Sequence, residues 1–325
     1  MRFRQLAASL LIVLGAAGAV ATSPMAAQPA QGGAAPATKA AQGTPAPAAD
    51  VDLKLPNKKG TVKFGVIGDN GTGEREQYAI GEQLAKWQMA FPYDFVIMLG
   101  DNMYGSQNPS DFLRKFERPY KALLDRNVKF YAALGNHDNQ ENRFYKPWNM
   151  GGERYYTYKK DRVRFFVLDS DYLDQPQRQW IERQLRESTD DWKIAYFHHP
   201  LYSSASFHGS QKDLQLILEP LFVKYGVNVV FSGHDHVYER IKPQQGIYYF
   251  VEGSSGKLRP GDLRKTALTE VGNDREQAFM LVEVDDNDLY FQAISLNGKT
   301  LDSGSLKQQE KPKPSPVATT GAKPQ

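Results

Sequence analysis

Apolar residues in this chain gather in short continuous runs. Those at 62–67, 95–99, 128–134, 164–168, 193–197 and 227–231 have the length of strands and few polar interruptions, the pattern of strands buried on both faces. Between several of them, apolar residues recur three and four positions apart. Residues 74–89 bring Ile80, Leu84 and Trp87 to one helical face. Residues 110–124 gather Phe112, Leu113, Phe116 and Tyr120, and Pro119 predicts a kink there. Residues 176–187 carry proline in the first turn and bring Trp180, Ile181 and Leu185 together, while 214–225 repeat such a face with Pro220 as an interruption. Strands alternating with helices predict an α/β architecture. After Gly246 the pattern turns to strands alone, at 248–251, 279–284 and 289–295, which predicts a second, partly antiparallel sheet there.

The polar residues that break this pattern are as ordered as the apolar ones. Five clusters begin within a residue or two of a strand end: Gly68-Asp69-Asn70-Gly71, Gly100-Asp101-Asn102-Met103-Tyr104, Gly135-Asn136-His137-Asp138, His198-His199-Pro200 and Gly233-His234-Asp235-His236. All six histidines of the chain lie between His137 and His236, the sixth being His208. In open α/β folds ligands bind at the carboxyl ends of strands, so clusters far apart in sequence are predicted to meet at one edge. Glycines at 68, 100, 135 and 233 let the backbone turn and approach closely there. Histidine, carboxylate and amide oxygen are ligands for hard and borderline metal ions, so the clusters predict a polynuclear metal site and hydrolytic chemistry.

Composition narrows the reading. The 325 residues contain no cysteine and carry a formal charge of +3. Disulfides and thiolate metal sites are therefore excluded, and so small an excess carries no nucleic-acid footprint. Two arginines precede an apolar core at 6–21 that ends in Ala19-Val20-Ala21. That order predicts a secretory signal peptide over 1–21, with Met25-Ala26-Ala27 as an alternative cleavage site. A core of about sixteen residues is short for a membrane span. Export to the periplasm or medium is expected, with no span left after cleavage. Residues 22–50 are rich in Ala, Pro, Gln and Gly and read as a flexible tether, residues 306–325 read as a similar tail, and one folded domain is expected over 51–305. Nothing in the pattern specifies an oligomeric state.

Singly, each cluster has an ordinary explanation as a turn, a loop histidine or a packing aromatic. Their order is more specific. Asp, then Asp with Tyr three residues on, then Asn-His-Asp, His-x-Pro and Gly-His-x-His resembles the metallophosphoesterase superfamily, and within it the compact purple acid phosphatases. The resemblance spans roughly 63–238. It implies a four-layer α/β/β/α sandwich of two mixed sheets. Most members of the superfamily open with Asp-x-His; here Gly71 stands at the histidine position, and Tyr104 matches the tyrosinate that the purple acid phosphatase branch supplies.

The resemblance implies a binuclear centre. Asp69, Tyr104 and His236 would hold the first metal, Asp101 would bridge, and Asn136, His198 and His234 would hold the second. Phenolate with hard oxygen donors favours Fe(III) first and a divalent Zn, Fe or Mn second. The implied reaction is hydrolysis of small phosphate monoesters by in-line attack of a metal-bound hydroxide. His137 is expected to contact substrate or nucleophile, with Asp138 orienting its ring. His208 is expected to protonate the leaving group, and His199 is open between an outer-sphere role and a structural one. Arg240 and Lys257 lie near the site in sequence, though a lone base after a loop is ordinarily solvated. Tyr155, Tyr156 and Tyr158 read first as strand packing. The Gly-Asp-x-Val-Asp-Arg-Gly signature of serine/threonine protein phosphatases is absent. The rival readings are a phosphodiesterase or nucleotide hydrolase on the same site and a non-catalytic phosphate-binding protein.

Overall fold

The computed structural model describes residues 51–308. The expected signal peptide, the tether and the tail beyond 308 lie outside the described residues.

The chain runs β1 (Val62–Ile67), α1 (Arg75–Ala90), β2 (Phe95–Met98), α2 (Pro109–Phe112), a π-helical turn (Leu113–Glu117), α3 (Lys121–Leu124) and β3 (Lys129–Ala132). The hairpin β4 (Tyr156–Lys160) and β5 (Val163–Val167) follows, then α4 (Gln175–Glu187), β6 (Trp192–Tyr196), α5 (Lys212–Tyr225) and β7 (Val229–Ser232). Six more strands close the domain: β8 (Tyr238–Gln244), β9 (Ile247–Glu252), β10 (Thr269–Asn273), β11 (Ala278–Val284), β12 (Asp288–Ser295) and β13 (Thr300–Lys307). The last strand reaches two residues past the expected domain end and buries Leu306.

Two mixed sheets result, ordered β13-β12-β11-β1-β2-β3 and β10-β8-β9-β7-β6-β5-β4. Alternation along each strand decides which layer a side chain joins. Phe64 and Val66 of β1, Phe95 and Ile97 of β2, Phe165 of β5 and Phe231 of β7 point between the sheets. Burying each such side chain contributes roughly 1.5–3 kcal/mol. Val96 and Met98, on the opposite face of β2, meet Ile80, Leu84 and Trp87 of α1. Ala195 and Val230 meet Ile181 of α4 and Phe222 of α5 outside the other sheet. The α/β/β/α sandwich is the architecture expected.

Three local expectations are corrected. The strands after Gly246 make no sheet of their own: β9 and β10 join the second sheet, and β11, β12 and β13 extend the first. The helix expected over 110–124 is broken into three pieces with a turn around Pro119. The turn packs closely on α1, where a Cβ on Gly81 would lie 2.1 Å from the Pro119 carbonyl oxygen. Pro220, by contrast, does not interrupt α5. Pro220 and Leu216, whose carbonyl loses its helical donor, are both exposed, so water can satisfy that carbonyl.

Candidate metal centre

β1, β2 and β3 are parallel neighbours in one sheet, and β5, β6, β7 and β9 are parallel neighbours in the other. All five polar clusters leave these strands at their carboxyl ends, and the structure brings them together at one edge of the sandwich. Asp69, Asp101 and His234 adopt left-handed backbone, with φ of 52°, 51° and 70°. Such a conformation is uncommon outside glycine and concentrates at functional sites.

The donors interlock. The Asp69 carboxylate accepts from the His234 amide at 2.8 Å and from the Tyr104 hydroxyl at 2.9 Å. Tyr104 Oη lies 3.2 Å from His236 Nε2, which in turn is 3.4 Å from Asp69 Oδ1. Asp101 Oδ1 accepts from the His137 amide at 2.9 Å and stands 3.4 Å from His198 Nε2. His198 Nε2 also meets Asn136 Oδ1 at 3.1 Å and His234 Nδ1 at 3.2 Å. Ligand atoms of Asp69, Asp101 and His198 all lie within 4.8 Å of one another.

This donor set fits a cation. His198 Nδ1 faces the Leu99 carbonyl at 3.0 Å, and a carbonyl only accepts, so Nδ1 carries the ring proton. As a metal ligand, with Nε2 deprotonated, His198 would present a lone pair beside the Asn136 and Asp101 oxygens. Lone pairs converging on one point are what a metal ion satisfies, and a ligand histidine commonly donates its other nitrogen to a carbonyl. The field at the site is anionic: burial alone would lower the His198 imidazole, but the Asp101 and Asp69 carboxylates hold it up at about 10, so a proton sits on Nε2 until a cation takes its place. Burial and the neighbouring His198, His199 and His208 push His234 down to about 2. Burial, Asp69 and Asp101 raise the Tyr104 phenol far above its ordinary value.

Gly71 explains why Tyr104 arrives here. A Cβ at position 71 would lie 2.0 Å from the Asn102 carbonyl and 2.3 Å from Met103 N. The segment leading to Tyr104 fills the space that a side chain would need. Backbone bonds lock it there, Gly71 N to Asp101 O at 3.1 Å and Tyr104 N to Gly71 O at 2.9 Å. From beneath, the buried Lys115 ammonium donates to the carbonyls of Tyr104 and Ser106, each at 2.5 Å.

The remaining candidates divide. His137 is 52% exposed, packs against the Tyr104 ring at 4.8 Å and stands 4.0 Å from Asp101 Oδ2, at the mouth. His208 packs against His234 with ring centroids 4.0 Å apart and planes tilted by 39°, and burial chiefly lowers its proton affinity. Asp138 does not orient the His137 ring as expected. Its Oδ2 accepts instead from Gly135 N, Asn102 N and Asn102 Nδ2, because the chain turns back at Gly135 and aims the carboxylate under the loops. His199 is held by Ser170 Oγ at 2.9 Å, with Asp171 3.6 Å from its other nitrogen, and burial followed by His198 lowers it to about 3. Arg240 pairs with Asp302 at 2.7 Å. Tyr155 packs on Trp180 and Tyr158 on Phe165, while the Tyr156 hydroxyl bonds the Ala132 carbonyl. Sequence reasoning missed the Asp169-Ser170-Asp171 group after β5, although it too follows an apolar strand. It also missed Arg259.

A two-sheet sandwich with aspartate, histidine, amide and phenol donors at its shared carboxyl edge defines a metallophosphoesterase. Residues 62–238 match the calcineurin-like phosphoesterase family, and the chain belongs to it. Among its relatives, tartrate-resistant acid phosphatase type 5 of Rattus norvegicus is 25% identical over 302 residues, covering 78% of this chain and 92% of the relative. Purple acid phosphatase 4 of Arabidopsis thaliana is 27% identical over 285 residues, covering 76% and 84%. The fold is shared with a purple acid phosphatase from yellow lupin seeds (TM-score 0.59, 19% identity, 78% of this chain and 55% of that one). It is shared also with GAP50, the anchor in the inner membrane complex of Plasmodium (TM-score 0.70, 19% identity, 77% and 90%).

Proposed function

We infer that this chain is an exported acid phosphatase that hydrolyses phosphate monoesters at a binuclear metal centre. Asp69, Tyr104 and His236 would hold one ion, Asn136, His198 and His234 would hold the other, and Asp101 would serve both. The observation that carries the reading is the convergence on His198 Nε2 of Asn136 Oδ1 and Asp101 Oδ1, with its Nδ1 proton already committed to Leu99. Phenol and carboxylate oxygens around the first position suit Fe(III), and imidazoles with an amide suit divalent Zn, Fe or Mn at the second. Two such ions supply Lewis acidity toward a phosphoryl group and acidify water.

The chain's own groups do the rest. His137, exposed at the mouth and near Asp101, donates to a phosphoryl oxygen. His208, against His234, delivers a proton to the departing alkoxide. Asp138 positions the Gly135 and Asn102 backbone that carries Asn136 and Asp101. Residues 1–21 direct export, a reading supported by their charge, apolar core and small-residue ending, and among the described residues no helix is long and apolar enough to cross a membrane.

Metal analysis together with turnover on a chromogenic monoester and a chromogenic diester tests this. The expected result is two metal ions per chain, monoester turnover well above diester turnover, and a visible phenolate-to-iron band that Tyr104→Phe abolishes. Stoichiometric metal without turnover of either ester would sink the enzyme reading, and a band unchanged in Tyr104→Phe would sink the ligand assignment. N-terminal sequencing of exported protein tests the leader.

A further inference from the structure

The loop after β9 lies across the rim of the metal centre and is pinned to it by backbone. Lys257 N donates to Asp69 O and Arg259 N to His236 O, each at 3.1 Å. Gly253 and Gly256 permit this approach: a Cβ on the first would lie 2.2 Å from Asp235 O, and on the second 2.7 Å from Asn70 O. Two cationic side chains are delivered in consequence. Lys257 Nζ stands 5.1 Å from the Tyr104 ring centroid. The Arg259 guanidinium lies 3.7 Å over the ring of Phe207, which is itself 64% exposed and next in sequence to His208.

What sets these two apart is how little of their hydrogen-bonding capacity is committed. Arg154 is taken by Asp169 and Asp174, Arg240 by Asp302 and Lys115 by two carbonyls. Lys257 forms no ion pair among the described residues. Arg259 Nη1 is 3.7 Å from Asp262 Oδ2, outside hydrogen-bond reach, and both atoms are without a hydrogen-bond partner. The other Asp262 oxygen is occupied by Ser206 N, Ser206 Oγ and Phe207 N, at 3.0, 2.7 and 2.9 Å. Asp262 thereby holds the aromatic platform under Arg259, and its second oxygen pairs with the guanidinium only loosely, at 3.7 Å and without a hydrogen bond. A guanidinium laid flat on a fixed ring keeps its fork of donors preorganised for an oxyanion.

One phosphoryl group is served by the proposed ions with His137 and His208. Two further cations on the arc of rim between Tyr104 and His208, one unpaired and one only loosely paired, have nothing to bind in a simple monoester. We propose that Lys257 and Arg259 form a second anion subsite that takes a phosphoryl group adjacent to the one hydrolysed, so that substrates with two linked phosphoryl groups are selected. The inference rests on the phosphatase reading. With a nucleoside diphosphate, water oxygen bonds to the terminal phosphorus and the bond to the bridging oxygen breaks. The monophosphate leaves, one water proton staying on orthophosphate and the other passing to the departing oxygen or to solvent.

The test compares metal-loaded wild type with Lys257→Met and Arg259→Met, using ADP and AMP as substrates and pyrophosphate and orthophosphate as titrated ligands. Loss of one charge-assisted bond to phosphate is expected to lower the ADP-to-AMP ratio of kcat/KM about tenfold in each variant. Pyrophosphate affinity is expected to fall by about the same factor relative to orthophosphate. A ratio that stays within about twofold of wild type, or pyrophosphate and orthophosphate affinities that fall together, overturns the subsite. Wild-type protein that hydrolyses the chromogenic monoester but not ADP also overturns the subsite; protein that hydrolyses neither the chromogenic monoester nor a nucleotide overturns the phosphatase reading instead, while the two titrations still decide whether the subsite exists.

Discussion

Gly71 offers a quantitative test of how the site is assembled. In Gly71→Ala the new methyl group would lie 2.0 Å from both the carbon and the oxygen of the Asn102 carbonyl, and 2.3 Å from Met103 N. These are backbone atoms, so no rotamer change relieves the clash. The two chains must separate, and the bonds Gly71 N to Asp101 O and Tyr104 N to Gly71 O lengthen or break. Overpacking against side chains costs about 1–3 kcal/mol, and two weakened backbone bonds add about 1 kcal/mol each. A loss of roughly 3–5 kcal/mol follows. In a domain of this size each kcal/mol lowers Tm by about 2–4 °C, so Gly71→Ala should melt roughly 6–20 °C below wild type. Gly105→Ala is the control. Its φ is 66° and nothing lies within 4 Å of its Cβ direction, leaving only a left-handed backbone cost of about 1–2 kcal/mol. A Gly71→Ala melting point within about 2 °C of wild type, or one above that of Gly105→Ala, would refute the argument. Gly71→His should fare no better, so the histidine usual elsewhere in the superfamily cannot simply be restored beside Tyr104.

Lys115→Met keeps the apolar stem but removes the ammonium from the Tyr104 and Ser106 carbonyls. Leaving them unpaired should cost roughly 2–3 kcal/mol and shift the phenolate band in iron-loaded protein; an unmoved band and Tm would show that the ammonium does not hold this loop. For acid stability, burial would raise the Asp190 carboxyl, but Lys159, Arg164 and Ser188 together hold it down at about 2. Its folded value is depressed, so its contribution is present above the unfolded value near 4 and is lost as pH falls toward 2. Thermal melts between pH 4.5 and 2 should fall less steeply for Asp190→Asn; parallel curves would remove Asp190 from the account.

Legibility in the sequence followed burial. β1, β2, β5, β6 and β7 were readable because both faces are covered, which leaves continuous apolar runs. β8, β10 and β13 were not readable: their exposed positions carry Lys242, Pro243, Glu270 and Ser303, and the pattern dissolves into loop chemistry. The clusters could be placed at one edge because parallel strands deliver their ends together. Asp138 could not be placed, since the turn at Gly135, rather than adjacency to His137, decides where its carboxylate points. Arg259 was invisible for a similar reason. Its significance lies in Phe207 beneath it and in an Asp262 whose Oδ1 is taken by Ser206 and Phe207, and those partners are not local in sequence.

The bonds His234 N to Asp69 Oδ2 and His198 Nδ1 to Leu99 O run from one sheet to the other. Between the sheets elsewhere lie mostly greasy side chains, an adhesive that resists separation but offers little against sliding, with directional ties such as Tyr156 Oη to Ala132 O and Arg240 to Asp302 among them. The two bonds from Asp69 and Leu99 act as dowels that help set the shear of one layer against the next at the mouth. The chemistry of the centre and the alignment of the sandwich are therefore one mechanical object. A substitution at Asp69 or His198 alters the layer registration along with the metal ligand, so loss of activity there and loss of rigidity arrive together.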